Sequence, residues 1–120
     1  MKKILEYSPL VRNKLKSLKN WLTEHFDEEM AVKVLTGITT DSDLLSDNPK
    51  MGTNISEMYD VETEYWYLFT HQHYMVYRIE PKRIIIVQMF NEKEDFMMHL
   101  FGISGRTQES IDYWQDQLSE

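Results

Sequence analysis

The chain contains no cysteine. That excludes a disulfide framework and any thiolate metal site, and it fits a reducing compartment. No apolar run approaches the roughly 18 residues that a membrane span needs. The start, MKKILEYSP, carries two lysines as a secretory leader would, but its apolar stretch stops at Leu5. That is too short for a leader, so the reading is a cytoplasmic protein with no membrane association. Positive charge is scarce: 13 basic residues stand against 20 acidic ones, for a net charge of −7. Generic nucleic-acid affinity rests on lysine and arginine at phosphates, and this balance argues against it. The shortage is uneven. Lys2, Lys3, Arg12, Lys14, Lys16 and Lys19 face only Glu6 within the first 20 residues. A charged helix face of this kind is ordinarily just solvated. Glycine and proline are also few, at 4 and 3. There is no internal repeat, no low-complexity tract and no second compact domain.

What is present is a core. The 120 residues are 42% hydrophobic and 12% aromatic, enough for one globular domain. Its densest part is residues 64 to 90, EYWYLFTHQHYMVYRIEPKRIIIVQMF. Aromatic and β-branched residues predict three strands here, Tyr65 to Phe69, His73 to Ile79 and Arg83 to Phe90. His71-Gln72 and Pro81-Lys82 make two-residue turns between them, and Glu80 should stand opposite Arg83 as an ion pair. Such turns set the register. One face then carries Tyr65, Tyr67, Phe69, Tyr74, Val76, Arg78, Ile85, Val87 and Met89. The other carries Trp66, Leu68, His73, Met75, Tyr77, Ile79, Ile84, Ile86 and Phe90. Both faces are apolar, so both need covering.

The flanks supply one cover. Residues 3 to 7 fit a first strand. Ser8-Pro9 is a cap and first-turn signal, and Val11, Leu15, Leu18 and Leu22 make one stripe on a helix over 9 to 25. Asp27 caps a second helix, with Glu28 and Glu29 suiting its first turn. Met30, Val34, Ile38 and Leu45 mark its buried side, and it ends before Asn48-Pro49. The short link makes the two helices an antiparallel hairpin. Gly52 suits a positive φ in the loop that follows, and residues 55 to 61 form a weak strand. Beyond the sheet, 91 to 95 is a polar break and 96 to 101 a helical turn. Gly102 and Gly105 mark a hinge, and Thr107 caps a last helix bearing Ile111, Trp114 and Leu118. The fold class is α+β: an N-terminal strand, a helix hairpin on a mainly antiparallel sheet of four to five twisted strands, and a C-terminal helix. Residues 1–101 form the domain, and 102–120 the hinge and helix.

In this order of elements, YSPLVRNKLKSL, LLSDNPKMG and HYMVYRI…RIIIVQMF resemble the RelE/ParE superfamily of toxins from type II toxin–antitoxin modules. The more specific pieces are Leu45-x-x-x-Pro49-x-x-Gly52 and Val76-Tyr77-Arg78-Ile79. The likeness spans roughly residues 2 to 101. It implies a small toxin neutralised by a cognate antitoxin that wraps the sheet and helix hairpin. RelE-like members cleave mRNA on the ribosome, whereas ParE-like members bind and poison DNA gyrase.

The RelE-like pattern places lysines and an arginine on the sheet, where they balance charge at the scissile phosphate. Here that face offers Tyr65, Tyr67 and Tyr74. The segment after the last strand, expected to bring a further cation, reads Asn91-Glu92-Lys93-Glu94-Asp95. These departures favour the gyrase-binding branch. The alternative is a metal-independent ribonuclease in which His71, His73 and His99 supply acid and base. Lys50, Arg78 and Lys93 would then hold phosphate or target. Histidines beside turns are more often plain surface groups. Arg78 equally suits a structural stack on Tyr65. A further alternative is a non-toxic interaction module on the same scaffold. Tyr65, Tyr67, Tyr74, Met89 and Trp114 form the expected partner face, open to the antitoxin or to a second copy in a homodimer. Trp114 is expected to pack there. His71-x-His73 lacks a carboxylate at ligand spacing, so neither metal nor cofactor is expected.

Overall fold

Ser8 begins the first helix as its spacing predicts. In a computed structural model that describes residues 2–94 and Leu100, the Ser8 hydroxyl accepts the backbone N–H of Val11 at 3.2 Å, and Pro9 opens the first turn. The chain runs β1 (Ile4–Tyr7), α1 (Pro9–His25), α2 (Glu28–Asp43), a 3-10 turn (Leu44–Ser46), β2 (Thr53–Asn54), α3 (Ile55–Tyr59), β3 (Tyr65–Thr70), β4 (His73–Ile79) and β5 (Arg83–Asn91). Asp27 caps α2 by accepting from Met30 at 2.7 Å. Removing a cap of this kind costs about 1 kcal/mol. The expected C-terminal helix, with Trp114, and the segment holding His99 lie outside the described residues. No helix among the described residues is long and apolar enough to cross a membrane.

The five strands form one sheet in the order β1-β5-β4-β3-β2. β1 pairs with β5 in parallel, and the remaining pairs are antiparallel. Helices α1 and α2 cover one face. There Val11, Ile38, Leu45, Met75, Tyr77, Ile84, Ile86 and Met89 form the main buried cluster, with Leu15, Leu18 and Val34 packed at its edge. A fully buried aliphatic side chain in such a cluster contributes about 1.5–3 kcal/mol. On the other face, Ile55, Val76 and Phe90 form a second cluster, joined by Tyr59, Tyr65, Tyr67, Tyr74 and Leu100.

Four expectations change in the structure. The weak strand over 55–61 is instead α3. Asn54 accepts from the Glu57 N–H at 3.4 Å and so starts a helix, leaving only two residues to pair with β3. Along α2 the buried position is Ala31, at 0% exposure, while Met30 is 39% exposed. A stripe drawn one residue too early put the larger side chain inside. Gly52 is required by crowding rather than by a left-handed backbone, since a β-carbon there would overlap the Tyr67 carbonyl and the Tyr77 hydroxyl.

The fourth change is in register. Val76 pairs with Gln88, but Tyr77 pairs with Ile86, so β5 bulges at Val87. One extra residue reverses every following side chain. Met89 therefore turns into the helix-side cluster, and Phe90 turns to the tyrosine face. Met89 is thus not on the expected partner face.

Candidate functional site

Strand β4 carries sequence-expected groups at both ends. At one end the chain reverses through His71 and Gln72, both left-handed with φ of 47° and 63°. This backbone is that of a primed turn, which matches the twist of the strands it joins. Thr70, buried just before the turn, donates its hydroxyl to Asp41 of α2 at 2.6 Å. Its single proton is then committed. The 2.9 Å contact between Thr70 Oγ1 and His71 Nδ1 must therefore be donated by the ring. Nδ1 also lies 3.8 Å from the Asp41 carboxylate. The opposite ring edge, Cε1 and Nε2, rests on Gly37 of α2 so closely that a β-carbon there would overlap it. His71 is thus a wedge between the hairpin turn and α2. His73 donates Nδ1 to the His71 carbonyl at 2.8 Å.

The other end of β4 is an alternating chain of charge. The Arg78 guanidinium reaches Glu80 at 2.7 Å and Glu64 at 3.7 Å. Glu80 in turn accepts from Arg83 at 2.6 Å, and Arg83 continues to Glu6. Lys3 donates to the carbonyls of Glu80 and Pro81, each at 2.7 Å. The hydrogen bond from Arg83, then that from Arg78, holds the Glu80 carboxyl below the usual carboxylate range. The expected Glu80–Arg83 pair is therefore present, inside a larger network. Arg78 stands opposite Tyr65 in the sheet.

His73 and Arg78 are five residues apart on one strand, roughly 17 Å at the usual rise. One phosphate cannot touch both. Lys93 follows β5 at the histidine end, where Asn91 pairs with His73 and the Glu92 N–H donates to Gln72. Its neighbours there are Glu92 and Glu94. Lys50 lies toward the arginine end, lining a cleft of about 650 Å3 with Lys3, Met51 and Ile79. The expected cations are thus split between the two ends. Among the described residues, no three metal-ligating side chains group together.

Between the ends, the second sheet face is aromatic. The Tyr67 and Tyr74 rings meet edge to face at 5.3 Å, and Phe69 reaches Tyr74 at 4.9 Å. Burial, then the neighbouring Tyr67 and Glu92, raises the Tyr74 hydroxyl above its ordinary pKa. Tyr65, Tyr67 and Tyr74 share this face as expected. Asp41 and Thr70 escaped the reading of the sequence, which took Gly37 only as a weak point in the second half of α2. A glycine in mid-helix was the one signal, and it marks a close approach rather than a weak helix.

The chain's likeness to known proteins agrees with this architecture. Residues 5–96 match the family described as the ParE toxin of type II toxin-antitoxin system, parDE. A solved structure described as the chromosomal ParDE TA system from P. aeruginosa has the same fold, with a TM-score of 0.64 and 15% identity. That alignment covers 75% of this chain and 96% of the other. No curated protein matches the chain.

Proposed function

This chain belongs to the ParE toxin family of type II toxin–antitoxin systems, and from that premise we propose that it acts by binding a protein target, DNA gyrase, rather than by cleaving RNA. Its own antitoxin is the second partner. The observation that carries this reading is the state of the cations. Arg78 is held between two carboxylates, and Lys93 lies among glutamates. Stabilising a developing oxyanion needs donors already aimed at it, and a cation engaged by two carboxylates cannot serve without breaking both contacts. His71 supports the same reading. Nδ1 is bonded, and the Nε2 edge lies against Gly37, so the ring is held against α2 and not aimed at a substrate site. The tyrosine face offers rings and little charge, a surface suited to protein contact.

The test pairs two assays on the purified chain: gyrase supercoiling of plasmid DNA, and cleavage of a reporter mRNA during translation by ribosomes. Supercoiling should fall in proportion to toxin while the mRNA stays intact, and antitoxin should reverse the effect. Cleaved mRNA, with cleavage lost in His71→Ala or His73→Ala, would instead establish the ribonuclease alternative.

A further inference from the structure

The tyrosine face of the sheet is buried more deeply than its described cover explains. Val76 lies in β4, the middle strand, and is 0% exposed, and Phe90 of β5 is 3% exposed. Both belong to the cluster on the face away from α1 and α2. Among the described residues, the cover on that side is α3, five residues long and set against β2 and β3, together with Val61 and Leu100. A helix of little more than one turn near the sheet edge does not bury the middle strand alone. A sheet apolar on both faces needs cover over both.

Leu100 shows where the remaining cover comes from. β5 ends at Asn91, and by Leu100 the chain has come back onto this face. Residues 101–120 follow from that point. In them Ile111, Trp114 and Leu118 recur at intervals of three and four, one apolar stripe at helical spacing. A stripe that short holds a helix in water only against a surface. The segment also lies beyond the matched family domain, which ends at residue 96. We infer that residues 101–120 dock on the tyrosine face of their own chain through Ile111, Trp114 and Leu118, with Trp114 seated over Tyr67 and Tyr74.

The tether selects this occupant over the others. Anchored at Leu100, the stripe meets the face at an effective concentration on the order of millimolar. A second copy would bring one net charge of −7 against another. A separate partner must displace a segment already in place, so the face is closed in the free toxin. This docking is independent of which target the toxin has.

The experiment uses the full chain with Trp21→Phe/Trp66→Phe, which leaves Trp114 as its one indole. Its emission and iodide quenching are measured without any partner. The emission should be blue-shifted and shielded from iodide, and neither should change on dilution. Adding Tyr67→Ser/Tyr74→Ser should shift the emission to the red and restore quenching while circular dichroism shows the fold retained. In the wild-type background, Trp114→Ala should lower the melting temperature by several degrees, with Trp114→Phe recovering most of the loss. Should Trp66→Phe unfold the chain, the difference between the wild-type and Trp114→Phe spectra reads the same indole. A solvent-exposed Trp114 in the folded free chain would overturn the inference. Emission that reddens on dilution would assign the face to a second copy instead, and emission indifferent to the tyrosine pair would place the segment elsewhere.

Discussion

Two glycines lie equally close to their neighbours in this protein, with opposite consequences. Gly52 abuts the Tyr67 carbonyl and the hydroxyl of a fully buried tyrosine, Tyr77. The nearest atoms to a β-carbon on Gly37 all belong to the ring of His71, whose side chain is 41% exposed. Closeness alone does not set the cost of a larger side chain. What decides is whether the crowded group can leave. A backbone carbonyl within a sheet pair cannot move without its strand, whereas an imidazole on a turn can swing into water. The arginine end of the sheet is therefore set by backbone packing, and the histidine end by a side-chain wedge.

The largest expected effect follows at the rigid end. Gly52→Ala should destabilise by about 2–3 kcal/mol, the upper part of the range for overpacking. Urea denaturation checks it, and a cost near zero would mean that the loop yields. Tyr77 sharpens the same point through pH. Burial pushes its hydroxyl up to about 12 from the ordinary 10, and the hydroxyl donates to the Pro49 carbonyl at 2.7 Å. The folded state keeps the proton that the unfolded chain loses. Its contribution is therefore complete below pH 10 and disappears as pH rises from 10 to about 12. The loss amounts to about 2–3 kcal/mol at 1.36 kcal/mol per unit. Tyr77→Phe should flatten much of that alkaline slope, leaving the part due to Tyr7 and Tyr74, whose hydroxyls burial also raises.

At the yielding end the prediction is a coupling. Gly37→Ala gains about 1 kcal/mol of helix propensity but displaces the His71 ring and its bond to Thr70, a loss of about 1 kcal/mol. The single change should be nearly neutral. In a His71→Ala background the ring is gone, and the same change should stabilise by about 1 kcal/mol. A double-mutant cycle reads the difference. Equal effects in both backgrounds would remove the wedge from the account.

Much of this was legible from local chemistry. Ser8, Pro9 and Asp27 announce the two helices, and the apolar spacing of Val11, Leu15, Leu18 and Leu22 places α1 to the residue. Both hairpin turns and the Glu80–Arg83 pair follow from neighbours in sequence. The bulge at Val87 does not. Met89 and Phe90 are both large and apolar, so exchanging their faces leaves no polar residue stranded to betray it. The short helix α3 replaced a strand because five residues are too few for a period to show, and only its Asn54 cap marked it. The contacts of His71 with Gly37 and Asp41 join positions more than 25 residues apart, beyond the reach of any local pattern. For the same reason the sequence did not show that Lys50 and Arg78 fall at one end of the sheet and Lys93 at the other.

The smallest effect belongs to the charge chain at the arginine end, and its sign is fixed by Glu80. Its folded carboxyl titrates below the ordinary 4.5, first through the hydrogen bond from Arg83 and then through that from Arg78. The folded state thus holds fewer protons than the unfolded chain across that window. The stabilisation is present at neutral pH, begins to fail as pH falls past 4.5, and is gone below the depressed folded value. Glu80→Gln keeps the shape and removes the titration, so its stability should fall less steeply in acid than that of the wild type. The groups lie near solvent, so added salt should shrink the difference. Urea midpoints measured from pH 6 to pH 3 at low and high ionic strength read both effects. Identical acid slopes in the two proteins would show that Pro81 and the strand pairing close this hairpin without the charges.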